Sequence, residues 1–114
     1  MTYDAKGNLL TSTEDTISAT SSFTYESIFN QVTSITDPKA NITNIDYDVK
    51  GNPTTITDSL GNVTGMQYDS LGLLTQITQA VGTSIENTTT FTYDPITFNL
   101  TSITDSLGHS TIFT

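Results

Sequence analysis

Apolar and polar residues alternate in short bursts along this chain. Phe23-Thr-Tyr25, Ile45-Asp-Tyr47, Met66-Gln-Tyr68 and Phe91-Thr-Tyr93 each place a polar residue between two apolar ones. That period of two is the signature of a half-buried strand. A second phrase follows each burst: Val32-Thr-Ser-Ile-Thr-Asp37, Pro53-Thr-Thr-Ile-Thr-Asp58, Leu74-Thr-Gln-Ile-Thr78 and Leu100-Thr-Ser-Ile-Thr-Asp105, with a weaker copy at Leu9-Leu-Thr-Ser-Thr-Glu14. Thr, Ile, Val, Tyr and Phe suit a pleated, partly covered surface. No segment shows a 3.6-residue apolar period with caps, so no helix longer than about one turn is expected.

The strands are punctuated by turns. The five tyrosines, Tyr3, Tyr25, Tyr47, Tyr68 and Tyr93, are each followed by an acid: Asp4, Glu26, Asp48, Asp69 and Asp94. Gly7, Gly51 and Gly72 stand four residues after their tyrosines. This suits a three-residue hairpin loop with a glycine in the left-handed region. Phe29 and Thr97 replace that glycine in repeats two and five, and there the next phrase begins one residue later. The longer loop is read as a way around the missing glycine. Asp58-Ser-Leu-Gly61 and Asp105-Ser-Leu-Gly108 form a second turn phrase. In all of these the acid can accept nearby backbone N–H groups.

These phrases predict an all-β chain: an antiparallel meander of tandem two-stranded Tyr-Asp hairpins, about ten short strands in one open, curved, single-layer sheet. Residues 1–114 form a single repeat array with repeats starting near 3, 25, 47, 68 and 93, and a longer surface loop over about 80–90. Strand parity adds an expectation, since a slip of one residue flips every side chain. A three-residue first loop calls for an even second loop, Ser59 to Asn62. Tyr47, Pro53 and Tyr68 would then share one face, and Ile56 the other, with Asp46, Val63 and Gln67.

Composition narrows the function. Apolar residues are 34% of 114, which does not favour a thick core. Twelve acids against three lysines (Lys6, Lys39, Lys50) and no arginine give a net charge of −9. Such a surface cannot neutralise a run of phosphates, so nucleic acid is not a partner, and an anionic membrane is disfavoured. No apolar run is long enough to span a membrane, and the polar start, Met1-Thr-Tyr-Asp4, is not a signal peptide. Without cysteine there is no disulfide framework or thiolate chemistry.

No catalytic, cofactor or metal site is expected. The acids are spread one per turn, unlike a calcium loop. Asp46 and Asp48 are an i, i+2 pair with no opposing acid of the kind glycoside hydrolysis needs. His109, the lone histidine, stands where the sister phrase has Asn62, which makes it a turn residue. Four Asn-x-Thr triplets, at Asn41, Asn62, Asn87 and Asn99, arise cheaply in so Asn- and Thr-rich a chain and carry no weight.

Tyr47-Asp-Val-Lys-Gly51 and Tyr68-Asp-Ser-Leu-Gly72 resemble the RHS/YD-repeat family, and Asp58-Ser-Leu-Gly-Asn62 resembles the companion half of its repeat. The resemblance extends over essentially the whole chain. It implies a segment of the β-sheet wall that encloses a hollow shell in large secreted or cell-surface proteins. Polymorphic bacterial toxins, toxin-complex components and animal teneurins are such proteins, and in the toxins the shell carries a C-terminal effector. The resemblance also implies an alternative, a carbohydrate-binding adhesive module, and an extracellular or cell-surface location. Many family repeats place Arg after the turn glycine; here Asn8, Asn52 and Leu73 stand there, so no role of that Arg carries over. The final Ile112-Phe-Thr114 matches the residues before Tyr25 and Tyr93, so the chain reads as part of a longer array. Its implied partners are further repeats of a parent chain and, through open sheet edges, other copies of itself.

Overall fold

The computed structural model describes residues 1–114, and all its regular structure is strand. Eleven strands follow one another: β1 (Thr2–Tyr3), β2 (Leu9–Glu14), β3 (Ala19–Tyr25), β4 (Val32–Thr36), β5 (Ile42–Tyr47), β6 (Pro53–Thr57), β7 (Val63–Tyr68), β8 (Leu74–Gln79), β9 (Asn87–Tyr93), β10 (Leu100–Thr104) and β11 (Ser110–Ile112). Each pairs antiparallel with the next in one open sheet whose spatial order is the chain order. The all-β meander is as the sequence predicts, with one strand more than counted. The longer connection is shorter than expected: it covers residues 80–86, and the chain is strand again from Asn87.

The register corrects the parity argument. Ile45 faces Ile56 and Asp46 faces Thr55, but Tyr47 faces Pro53, so Thr54 is an extra residue. That β-bulge absorbs the odd residue. Asp58–Asn62 is therefore built like Asp48–Asn52, the N–H of the first residue donating to the carbonyl of the fifth, at 3.0 and 2.8 Å. No even loop is needed, and Ile56 lies on the tyrosine face, not opposite it. The same shift occurs in every Tyr-Asp hairpin, leaving Leu10, Thr33, Thr75 and Thr101 as the extra residues.

One face thus gathers the apolar residues as cross-strand pairs: Phe23 with Ile35, Ile45 with Ile56, Met66 with Ile77, Phe91 with Ile103. Pairs of this kind contribute roughly 0.2–1 kcal/mol each. The other face is a field of hydroxyls and amides. Thr24 bonds Ser34 at 2.7 Å, Thr78 bonds Thr88 at 3.1 Å and Thr92 bonds Ser102 at 2.6 Å. No residue is fully buried. The sheet is held by its ladder, its turns and contacts between neighbouring strands, with no second layer.

Turns lie on two margins. The Tyr-Asp turns form one margin; the turns after β2, β4, β6, β8 and β10 form the other. The connection over 80–86 folds back onto the polar face. The Val81 N–H donates to the Val63 carbonyl at 3.0 Å, and its Cγ2 lies 3.5 Å from where a Gly65 side chain would begin. A glycine inside a strand marks such a close approach.

Candidate functional site

The recurring unit is the tyrosine, its acid and the turn between them. In the Asp48 turn, Oδ1 accepts the N–H groups of Lys50 at 2.8 Å and Asn52 at 2.9 Å, while Oδ2 accepts the Asn52 side-chain amide at 3.0 Å. The same pattern holds Asp4 with Asn8, Asp37 with Asn41 and Asp58 with Asn62. These bonds favour the charged form, so Asp4, Asp37, Asp48 and Asp58 are all held below the usual aspartate pKa. Asp105 is lowered too, chiefly by the His109 N–H. The His109 ring also meets Asp105 Oδ2, at 3.1 Å, in an exposed turn.

Gly7, Gly51, Gly61, Gly72 and Gly108 each close a turn with φ between +83° and +88°. The lengthened turns do not avoid that conformation; they move it one residue on. Asn30 takes φ +62° and Phe98 φ +58°. In these loops Glu26 accepts the N–H groups of Ile28, Phe29 and Gln31, and Asp94 those of Ile96 and Thr97. Both carboxyls are lowered as a result.

The tyrosine hydroxyls tie each repeat to the one before. Tyr25 donates to the Leu9 carbonyl at 2.9 Å, Tyr47 to Val32 at 2.7 Å and Tyr93 to Leu74 at 2.7 Å. Each acceptor opens a bulge, where the ladder is broken and a carbonyl needs a partner. Tyr68 is the exception: the matching position is Pro53, and its hydroxyl approaches only Met66 Sδ, at 3.8 Å. Partial burial raises the pKa of Tyr47 and Tyr68. Sequence reasoning missed these links, because a bulge leaves no residue type that announces it.

Side chains also bridge successive turns along the tyrosine margin. The Asn8 and Asn30 amides bond each other, and Lys6 reaches the Ser27 carbonyl at 3.2 Å. Gln31 Nε2 donates to the Gly51 carbonyl at 2.9 Å, and Lys50 Nζ to that of Ser70 at 2.6 Å. No group of three or more acids or histidines is placed to hold a metal ion.

Residues 47–84 match the family model described as RHS Repeat. Those residues are similar to an RHS repeat. The match runs from the Tyr47 turn through β8 and into the connection that follows. The fold of the whole chain recurs in solved structures. A Photorhabdus luminescens Tc holotoxin pore matches with a TM-score of 0.78 and 21% identity over 98% of this chain. The TcdB2-TccC3-TEV crystal structure matches with a TM-score of 0.70 and 17% identity over 96%. TcdB2-TccC3-Cdc42 matches with 0.67 and 16% over 91%. This chain covers only 7%, 6% and 6% of those chains. At such identities the likeness is one of fold. No curated protein matches the chain.

Proposed function

We propose that this chain is a stretch of β-shell wall in a large secreted or cell-surface RHS/YD-repeat protein, of the kind that carries a toxin. One observation supports this above the others: the hydroxyls of Tyr25, Tyr47 and Tyr93 each bond the preceding repeat. The motif residues are thereby spent on joining repeats, which is what a wall requires and what a ligand site would not. The match to the RHS repeat and the shared fold with Tc toxin chains agree with it. The repeat residues from Tyr3 and Asp4 to Asp105 and Gly108 act as structural elements in this reading, with no catalytic role.

The alternative, an adhesive module stacking sugars on its tyrosines, has less support, since three of the five hydroxyls are already taken. Cryo-electron microscopy of the parent protein tests the proposal. A closed shell with these residues in its wall is the expected result; a free-standing domain outside any shell would overturn it.

A further inference from the structure

Along the tyrosine margin, side chains bridge the first turn to the second, the second to the third and the third to the fourth. No side-chain hydrogen bond crosses from the Asp69 turn to the Asp94 turn. The groove of about 420 Å³ between them is spanned by no side-chain hydrogen bond, unlike the grooves between the second and third and the third and fourth turns. Leu73, Phe91, Tyr93 and Phe98 are among its walls and both acids line it.

The acids differ from their counterparts. In the turns of Asp4, Asp37, Asp48 and Asp58, Oδ2 accepts an asparagine side chain from the fifth turn residue. At Asp69 the fifth residue is Leu73, which reaches the carboxylate only through its N–H, to Oδ1. Asp94 likewise uses Oδ1 alone, for Ile96 and Thr97. Each acid therefore keeps an oxygen that no protein group bonds. Leucine at position 73 does two things at once: it leaves an anionic oxygen without a partner, and it adds an apolar wall.

An apolar groove with carboxylates at its rim, on a chain of net charge −9 that holds no arginine, selects its occupant by charge. A guanidinium is planar, stacks on aromatic faces and donates to carboxylate oxygens. We propose that the groove between the Asp69 and Asp94 turns docks an arginine side chain of an extended, basic polypeptide segment.

The test is a titration of the 114-residue chain at low salt with the peptide acetyl-Leu-Arg-Leu-Arg-Leu-amide, read by amide chemical shifts. Shifts concentrated at residues 69–75 and 91–98 are expected, and none with the peptide carrying Glu for Arg. Leu73→Asn gives Asp69 the partner its counterparts have, so this variant keeps its turn. It should weaken binding about tenfold or more, as loss of a bond to a charged group does. Asp48→Asn should leave binding in the groove unchanged. Shifts spread evenly over all the acidic turns, undiminished binding by the folded Leu73→Asn chain, or no binding at all would each overturn the assignment.

Discussion

The ring of Phe29 rests against Gly51. A methyl group at Gly51 would lie 3.0 Å from Cδ2 and 3.1 Å from Cγ of that ring, and 3.2 Å from Gln31 Oε1. Gly51 is thus required twice, by its φ of +86° and by a neighbouring turn. Gly61 has a similar φ of +83° but nothing within 4 Å of its missing side chain. Alanine at either site should cost about 1–2 kcal/mol for the left-handed backbone. Gly51→Ala should cost about 1 kcal/mol more, from overpacking. Gly51→Val should also cost more than Phe29→Val, whose side chain is half exposed. Paired urea melts check both, and equal losses for Gly51→Ala and Gly61→Ala would remove the Phe29 contact from the account.

Ala40 occupies the place of the turn glycine in the Asp37 turn, with φ +65°. Glycine there should relieve the left-handed strain while adding freedom to the unfolded chain. The net expectation is a gain of about 0.5–1 kcal/mol for Ala40→Gly, seen as a higher denaturation midpoint.

The tyrosine links make a contrast within one protein. Tyr47→Phe and Tyr93→Phe each leave a bulge carbonyl without its donor and should cost about 1 kcal/mol. Tyr68→Phe removes no bond to a carbonyl and should change stability by no more than roughly a few tenths of a kcal/mol. Equal effects at all three positions, measured in the same denaturant series, would contradict the role given to the hydroxyl.

Acid should loosen the turns before the ladder. Asp4, Glu26, Asp37, Asp48, Asp58, Asp94 and Asp105 all have lowered pKa values in the folded chain. A lowered folded pKa means stability present above the unfolded value, about 4 for these side chains, and lost as pH falls through the folded value. The melting midpoint should therefore hold steady down to about pH 5 and decline below about pH 4. Asp48→Asn should make that decline shallower; an unchanged slope would show that the carboxylate does not stabilise its turn.

Much of this fold was legible because the repeat writes each strand and turn several times over. The alternation before Tyr25, Tyr47, Tyr68 and Tyr93 gave the strands, and the Asp-x-x-Gly spacing gave the turns. The face of Ile56 was not legible, since the bulge at Thr54 is set by competition between loop geometry and side-chain pairing, and Thr serves a regular strand as well as a bulge. The left-handed residues Asn30 and Phe98 were missed for a related reason. A longer loop suggests a relaxed backbone, whereas its closing residue still needs that conformation. The groove at Asp69 could have been suspected from Leu73, the one turn of its type whose fifth residue has no polar side chain.

Both ends of the sheet present unpaired edges. No charged residue lies within β11, Ser110–Ile112, and an uncharged edge invites another strand. Self-repulsion from the net charge of −9 opposes this, and salt screens it. Light scattering should report growing association as salt rises. A monomer that unfolds identically at low and high salt would mean that the chain covers its own edges.

Small-angle X-ray scattering of the chain at low salt and low concentration tests the central claim, a single open layer of hairpins. The sheet measures 51 × 33 × 23 Å with a Cα radius of gyration of 17.9 Å. A compact chain of this length would have a radius near 13 Å. The account predicts a value close to 17.9 Å for the monomer. A value of about 13 Å would show that the hairpins fold onto one another around a core, and the reading of an extended wall would fail.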